Sequence, residues 1–379
     1  MDPLSQSPEV STRAKFLNAA EVCSLAVKQP TQPFPEDLAQ THRVFEPKNR
    51  NKVFVNYTAT EQKQLSAWYQ RIKHVSAEGD ELSAAAKRSY SPGDLSIKGF
   101  KPDHLGFDPL PIEGILHPKL KPLLGELMSG SLRPLIRLTS SPRVYPWCTI
   151  GIIMRSYPPY TNESARGTGF VFGGRVMLTA RHLFPRNIKD SFNDGVRYRF
   201  VPAYNPKASD QEPFGSAQVV EVRGKATHAG SFLGDGFWGD PSGWDYAACR
   251  LDWRIGDLCG GMGVYSFGRS ESYEKPFFHS TGYPEYNQNV PVTEMFAKIR
   301  DVDGNNYERE LETVNFAAPG WSGGPLFGYL SESGDTRVVG VCSGLEVFDS
   351  FLPPYSNCVW AGGRRFVNLA QYTVENWWD

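Results

Sequence analysis

A serine in a glycine-rich stretch has surroundings that suit nucleophilic chemistry. Ser322 lies in residues 318–326, which read APGWSGGPL. A nucleophile needs a reachable hydroxyl and nearby backbone N–H groups that can stabilise a developing oxyanion. Glycine permits such an open turn because it adopts backbone angles that other residues avoid. The stretch alone is equally compatible with an ordinary loop, so its role depends on what the rest of the chain supplies.

Two other segments could supply a base and a carboxylate for this serine. The apolar run VMLT (176–179) is followed by Ala-Arg-His, which places His182 at a strand end where a fixed scaffold can aim its ring. Imidazole is the natural general base near neutral pH. Asp245 precedes the apolar run YAACRL (246–251), and a carboxylate there could hold the far ring nitrogen of a histidine. These residues together predict a Ser-His-Asp triad.

Other residues of the same types compete for these roles. His228 and His279 are alternative bases, but loop or packing roles explain them better. Asp235 and Asp240 are alternative carboxylates, although neither begins an apolar strand. We therefore favour His182 as the base. Asp245 is the preferred carboxylate, and Asp235 and Asp240 stay as alternatives.

The elements around these residues are predicted to be mostly β-strands from residue 143 onward. Two apolar segments separated by Gly173-Gly174 predict a hairpin that leads to His182. Short strands are expected at 197–202, 218–223, 246–251, 295–302, 307–315 and 338–342. Residues 366–378 carry apolar side chains at helical spacing and predict a C-terminal helix. We therefore predict an all-β fold that suits two barrels, followed by one helix.

Residues 1–142 predict an N-terminal extension rather than a second catalytic unit. Helical spacing at 58–79, 81–88 and 120–130 alternates with segments broken by proline and glycine. Nothing in this third of the chain has the residue types of a reaction centre. We expect the extension either to bind a regulator or to pack on a peptidase domain formed by residues 143–379.

Composition excludes several functional classes. The 379 residues carry a formal net charge of -1, which argues against binding along a nucleic-acid backbone. There is no apolar run of membrane-spanning length, and the six cysteines include no C-x-x-C pair, so we expect no membrane span and no structural zinc. No cofactor or metal is expected. The start MDPLSQ lacks a secretory pattern, which predicts a cytoplasmic protein, or a secreted one if this start is not native.

Three motifs in order resemble the trypsin/chymotrypsin-like serine peptidases. They are TARH at 179–182, DYA at 245–247 and GWSGGPL at 320–326. The resemblance covers the chain from about residue 144 to its end. It implies a double β-barrel with the site in the cleft between the barrels, and a protein or peptide as substrate.

The resemblance also implies a role for each matching residue. Ser322 would be the nucleophile, His182 the general base and Asp245 the carboxylate that orients it. The backbone N–H groups of Gly320 and Ser322 would form the oxyanion hole. The implied substrate-binding residues are Phe316, Ala317, Cys342, Ser343 and Gly344.

Two positions depart from trypsin itself. Trp321 stands where trypsin has an acid before its serine, so trypsin-type activation by an ion pair is not expected. Phe316 stands at the position of trypsin's specificity aspartate, which argues against a strong Lys/Arg preference. Cys342 lies near the histidine of glutamyl endopeptidases, so a Glu preference is not expected either. The resemblance is nearest to the glutamyl-endopeptidase-like or HtrA-like branches, with a neutral residue before the cleaved bond.

Three rival interpretations of these motifs are less economical. The G-x-S-x-G elbow of α/β-hydrolases needs a histidine after the serine, and none follows His279. Cys342 could be a nucleophile, but its apolar strand favours a buried thiol. Residues 301–312 imitate the ligand spacing of an EF-hand, yet a hairpin turn at Asp303-Gly304 explains them more simply.

The sequence thus predicts a serine endopeptidase that works through an acyl-enzyme. The alternative is an inactive or weakly active trypsin-like fold that serves as a protein-binding module. The sequence does not define the substrate, the trigger or the oligomeric state.

Overall fold

A computed structural model describes residue 16 and residues 93–109, 135–138, 143–157, 162–185, 188–224, 242–274, 276–305, 307–313, 319–330, 335–347 and 356–377. Within these residues the chain forms two rolled β-structures and then a C-terminal helix. The helices predicted at 58–79, 81–88 and 120–130 lie outside the described residues.

The first β-structure is a closed six-stranded barrel. Its strands are β3 (Ile150–Ser156), β4 (Ser164–Gly173), β5 (Val176–Thr179), β6 (Arg197–Pro202), β7 (Ala217–Arg223) and β8 (Ala247–Leu251), joined in the order β3-β4-β5-β8-β7-β6. β6 pairs with β3, which closes the barrel. The predicted hairpin around Gly173-Gly174 is the β4–β5 connection. Short helical segments at Arg181–Leu183 and α1 (Ile188–Asn193) connect β5 to β6.

The second β-structure is a curled ten-stranded sheet. Its later strands are β9 (Gly263–Ser266), β10 (Phe278–Gly282), β11 (Val292–Ala297), β12 (Ile299–Asn305), β13 (Glu308–Thr313), β14 (Pro325–Tyr329), β15 (Thr336–Val347) and β16 (Ser356–Gly362). The main path runs β12-β13-β16-β15-β14-β10-β11, and β9 pairs with β15 in parallel. The helix α2 (Gly256–Cys259) connects the two β-structures.

Residues before 143 also contribute strands to the second sheet. β1 (Leu95–Ile97) pairs with β9, and β2 (Leu135–Leu138) pairs with β11. Phe16 is buried against the rings of Tyr265, Phe267 and Phe278, with centroids 5.2–5.6 Å apart. The N-terminal third therefore has contacts with the sheet that carries Ser322, while the division at residue 142 stays a prediction.

The C-terminal helix packs on both β-structures. α3 (Arg364–Asn376) buries Phe366, Val367, Ala370 and Val374, and Phe366 meets the ring of Tyr246 at 5.4 Å. Its apolar face joins the largest buried core cluster, which contains residues from the barrel and from the sheet. None of the helices formed by the described residues has the length and apolar character of a membrane span.

The predicted fold class is confirmed, with two local corrections. The segment 295–302 is not one strand, because Phe296 has a φ of 58° and pairing is interrupted at Lys298 between β11 and β12. The β12–β13 hairpin exists, but its turn does not lie at Asp303-Gly304. The two strands stay paired to Asn305 opposite Glu308, so the turn comes after Asn305.

Candidate active site

His182 and Asp245 are held together by two hydrogen bonds. β5 ends at Thr179 and the chain turns into a short helical segment, which presents His182 beside the start of β8. The Asp245 carboxylate accepts from His182 N at 2.8 Å with Oδ1 and contacts His182 Nδ1 at 2.5 Å with Oδ2. One carboxylate therefore fixes both the backbone and the ring of His182. The His182 side chain is 20% exposed and that of Asp245 is 7% exposed, so the ring faces out from a buried acid.

The charge state of Asp245 determines which nitrogen of His182 carries the proton. Burial alone would raise the pKa of the Asp245 carboxyl, but the charge of His182 and the hydrogen bonds from His182 and Ser343 outweigh it. The pKa of Asp245 is therefore lowered from 3.8, and the group is an acceptor at neutral pH. Because an ionised carboxylate cannot donate, Nδ1 of His182 must carry the hydrogen. Nε2 of the neutral ring is then left as an acceptor.

Ser343 completes the surroundings of this carboxylate. Its Oγ donates to Asp245 Oδ2 at 2.7 Å, and both residues are buried. Ser343 was predicted to contact substrate, and the structure gives its hydroxyl a different task. A residue of β15, from the second β-structure, thus fixes an acid that stands at the start of β8 in the first.

The loop that carries Ser322 depends on two glycines. Gly320 has a φ of 95° and Gly323 a φ of 83°, which lie in the left-handed region. A Cβ at Gly320 would clash with Tyr283 O, and one at Gly323 would clash with Thr179 Oγ1. The glycines predicted from the sequence to open this turn are required both by their backbone angles and by close contacts.

The Ser322 loop lies against the strand pair that leads to His182. Thr168 of β4 donates from its N to Ser322 O and from its Oγ1 to Gly320 O, each at 2.8 Å. A Cβ built on Gly167 would lie 2.7 Å from both Ser322 O and Leu183 Cδ1, so the loop and the residue after His182 meet at one spot. These contacts bring the segments of Ser322 and His182 together.

Three N–H groups of this loop donate no hydrogen bond within the described part of the chain. Gly323 N donates to Cys342 O and Gly324 N to Trp321 O, each at 2.8 Å. In contrast, Gly320 N, Trp321 N and Ser322 N donate to no described group. Gly320 N and Ser322 N are the two of these that the sequence predicted for an oxyanion hole.

The described hydrogen bonds of His182 go to Asp245 rather than to Ser322. Within the described ranges, no hydrogen bond joins Ser322 Oγ to His182 Nε2. Such catalytic contacts often shorten only when a substrate is bound.

Trp321 shows how the loop is held without an acid before the serine. Its side chain is 1% exposed and its Nε1 donates to Ser280 Oγ at 2.9 Å. The indole also lies so close to Gly282 that a Cβ there would clash with it. A buried indole anchors the loop in the sheet, where trypsin would use an ion pair.

The predicted substrate strand has an open edge beside Ser322. β15 pairs with β14 only as far as Val341 opposite Pro325, and with β16 on its other side as far as Val347. Past Val341, β15 therefore has one edge on which no described strand pairs. Cys342 is not part of that edge, because its N and O bond to Gly324 O and Gly323 N. Gly344 lies on it, and the predicted contacts Phe316 and Ala317 lie outside the described residues.

The competing residues have structural roles where they are described. His279 is 1% exposed and is surrounded by the rings of Trp147, Phe296, Phe327 and Tyr329, so it is a packing histidine. His228, Asp235 and Asp240 lie outside the described residues.

The predicted buried thiol is also found where β15 and β16 meet. Cys342 is 1% exposed, and its Sγ lies 3.8 Å from that of Cys358 on β16. Burial raises the pKa of Cys358, and the neighbouring thiol raises it further. Cys342 thus lies in a buried thiol pair.

Carboxylates of the β12–β13 hairpin come close together. Asp301, Asp303 and Glu312 could bring one oxygen each to within 4.8 Å of one another. Asp301 and Asp303 are exposed, and exposed acidic groups of this kind are common without a metal. That no metal is needed stays a prediction.

Two contributions to the site were not predicted from the sequence. Thr168 was not singled out, and the hydroxyl of Ser343 was not connected with Asp245. Each acts through a contact with a residue about 100 or more positions away, and no local pattern encodes such a pairing.

The chain resembles known proteins in structure rather than in sequence. No model of a known protein family matches the chain, and no curated protein does. Among solved structures, a Glu endopeptidase is similar over 64% of this chain and 97% of its own, with 16% identity and a TM-score of 0.46. The protease Anisep from Arthrobacter nicotinovorans is similar over 60% of this chain and 96% of its own, with 17% identity and a TM-score of 0.41. The thermostable serine protease AL20, from an extremophilic microorganism, is similar over 60% of this chain and 98% of its own, with 16% identity and a TM-score of 0.39.

The structural neighbours are trypsin-like serine proteases. The resemblance predicted from the three motifs is confirmed at the level of the fold. The roles of individual residues in this chain rest on the contacts described above.

Proposed function

We propose that this protein is a serine endopeptidase in which Ser322 forms an acyl-enzyme with a peptide substrate. The observation that carries the proposal is the pair of hydrogen bonds from His182 to Asp245, which orient the ring. A buried acid that holds both the backbone and the ring of one histidine would be costly in a protein that did not use that ring.

The first step is attack by Ser322 Oγ on the scissile carbonyl. His182 Nε2 accepts the serine proton as the new C–O bond forms. Asp245 stays ionised and stabilises the imidazolium through Nδ1–H, and the Ser343 hydroxyl donates to the same Oδ2 oxygen and holds the acid in place. The imidazolium then gives its proton to the leaving amine, and the acyl group remains on Ser322.

The negative charge of the tetrahedral intermediate is assigned to two backbone donors. Gly320 N and Ser322 N, like Trp321 N between them, make no other described hydrogen bond, and the resemblance to trypsin-like peptidases selects the first two. A donor of this kind contributes about 3 kcal/mol to transition-state stabilisation. A water molecule activated by His182 then releases the acyl group by the same steps in reverse order.

Substrate is proposed to bind along the open edge of β15. An extended peptide adds a strand to such an edge by backbone hydrogen bonds. Gly344 leaves room for the peptide backbone because it has no side chain. The strand would lead the scissile bond to Ser322, since Cys342 binds the serine loop directly.

A fluorophosphonate probe tests the proposal directly. The wild type is expected to be labelled at Ser322, and Ser322→Ala is expected to lose labelling. Ser272→Ala, which changes a partly buried serine of the short helical segment Ser270–Ser272 between β9 and β10, should be labelled like the wild type. Cleavage of a peptide library by the wild type, beside Ser322→Ala, then shows whether the labelled serine hydrolyses peptides.

The alternative function gives the opposite result. If the folded wild type is not labelled and cleaves no peptide, the triad is not competent. The trypsin-like fold would then serve as a protein-binding module.

A further inference from the structure

A β-bulge displaces one arginine beside the serine loop. β3 and β4 pair Ile153 with Gly167 and Met154 with Ala165, so Arg166 is the extra residue on β4. Bulges occur next to functional sites, where they redirect a side chain. Arg166 immediately precedes Gly167, the residue that meets Ser322 O.

Three buried polar atoms lie around this bulge. They are Arg166 Nε, Arg155 Nε on β3 and the Tyr198 hydroxyl on β6. Arg155 lies directly opposite Tyr198 in the β3–β6 ladder. The Arg155 guanidinium also rests on the ring of Tyr157, 4.2 Å from its centroid, and Tyr157 is 43% exposed. Because Arg155 also influences the Tyr198 hydroxyl through a side-chain hydrogen bond, the groups that lack an acceptor are the two arginine Nε atoms, whereas buried polar groups are normally paired.

The acids near this cluster do not neutralise it. Glu163 and Glu212 both bind Arg199, through contacts of 2.5 Å and 2.7 Å. In the part of the chain that the structure describes, neither Arg155 nor Arg166 forms a salt bridge. Glu285 is the remaining acid that influences Arg166, and it is exposed.

The charge of Arg155 also disfavours that of Arg166. Burial lowers the pKa of Arg166, and the positive charge of Arg155 lowers it further. A negatively charged group between them would relieve this repulsion and supply the missing acceptors.

The cluster lies on the flank of Ser322 that faces away from β15. The serine loop bonds to β15 on one side, through Cys342, and to β4 on the other, through Thr168. Glu285, which influences Arg166, donates its N to Pro319 O beside Gly320. A peptide that pairs with β15 and continues past Ser322 on the side of β4 would approach this bulge.

We propose that Arg155, Arg166 and Tyr198 form a subsite for a carboxylate of the substrate. The carboxylate belongs to an Asp or Glu residue that follows the cleaved bond, whereas the residues before the bond pair with β15. The inference rests on the proposed peptidase function and adds a substrate class to it. The two guanidinium groups supply charge-assisted donors, and Tyr198 supplies a neutral one. The exposed Glu285 also attracts the charge of Arg166. It therefore weakens the discrimination of the two arginines against substrates with a basic residue at this position.

Cleavage profiling with charge-removing variants tests the subsite. The wild type should favour peptides with Asp or Glu on the departing side of the cut by about 10- to 100-fold over Asn or Gln. Arg155→Gln combined with Arg166→Gln should abolish this preference, so that acidic peptides are cleaved no faster than their Asn or Gln counterparts. Arg250→Gln is the matched control, because Arg250 lies in the same barrel and pairs with Glu221. It should keep the preference.

A charge-reversal variant distinguishes a loss of the subsite from a general loss of folding or activity. Arg166→Glu should shift the preference at the same peptide position from acidic towards Lys or Arg. A wild type that cleaves peptides without any acidic preference, or a preference that survives in the double variant, would overturn the proposal.

Binding to the Ser322→Ala protein separates this inference from the peptidase function. If the wild type cleaves nothing, the proposed function has failed and the subsite is tested by fluorescence anisotropy. The probes are two fluorescein-labelled hexapeptides, one with a central Glu-Asp and one with Gln-Asn at the same positions. Tighter binding of the acidic peptide that disappears when Arg155 and Arg166 are replaced supports the subsite. Equal binding of the two peptides refutes it.

Discussion

The buried imidazole of His279 makes acid stability a sensitive test of this structure. His279 is enclosed by aromatic rings and is 1% exposed, and its Nδ1 has no described partner. Burial lowers the pKa of His279 from 6.5 to about 3. Between these two values, the unfolded chain binds a proton at this residue and the folded chain does not. His279 therefore does not reduce the free energy of unfolding above pH 6.5, and it reduces this free energy progressively as the pH falls towards 3.

The size of the loss follows from the shift. Each pH unit between the unfolded and folded pKa values changes the free energy of unfolding by about 1.4 kcal/mol. Between pH 8 and pH 5, His279 should therefore remove about 2 kcal/mol. His279→Phe keeps an aromatic ring among the neighbouring rings but cannot be protonated. It should lose about 2 kcal/mol less than the wild type over the same pH range.

Denaturant unfolding at pH 8, 7, 6 and 5 measures the effect. The quantity of interest is the pH-dependent loss in the wild type minus that in His279→Phe, because all other titrating groups cancel in this difference. Val264→Ala is the control, since it weakens the same core cluster without removing a titratable group. Its free energy of unfolding should be lower at every pH, with the wild-type slope.

Parallel pH profiles for the wild type and His279→Phe would refute the reasoning. The imidazole would then be protonated within the fold, or water would reach it. Either result would mean that the ring is not sealed among its aromatic neighbours as described.

Three further predictions concern the site and the attachment of the N-terminal third. Asp245→Asn should lower kcat by about 10⁴-fold in the peptidase assay, because an amide favours the wrong tautomer of His182. A loss below tenfold would contradict the proposed role of Asp245. Gly323→Ala should lower the free energy of unfolding by about 2 kcal/mol in denaturant titrations, because its φ of 83° and its contact with Thr179 exclude a Cβ; unchanged stability would contradict the loop geometry. Phe16→Ala should cost about 3 kcal/mol on the same assay by emptying its aromatic site, and a neutral result would show that Phe16 does not dock there.

Local patterns were sufficient to predict much of the barrel. The Gly173-Gly174 hairpin, β6 and the C-terminal helix were predicted at or near their observed bounds. These elements have alternating or helical apolar spacing that each segment carries by itself. The split between β11 and β12 was missed because the positive φ of Phe296 has no signature in an apolar run.

The hairpin turn after Asn305 illustrates a related limit. Asp303-Gly304 is a common turn pair, yet both residues remain in the ladder. Asn305 Oδ1 instead accepts from the N–H groups of Tyr307 and Glu308 and closes the turn further on. Pairing with β16 favours this longer ladder, and the dipeptide does not encode that pairing.

The sequence by itself determined which residues could form the triad, because His182, Asp245 and the glycines around Ser322 have local settings typical of their roles. Only the tertiary structure decided that Asp245 binds His182 twice, that Ser343 fixes this acid, and that Thr168 holds the serine loop. It also decided that Trp321 is an anchor and that Arg166 is displaced beside the loop. The physical reason is range: strand periodicity and turn chemistry act over a few residues, whereas hydrogen bonds and buried charges join residues that only folding brings together.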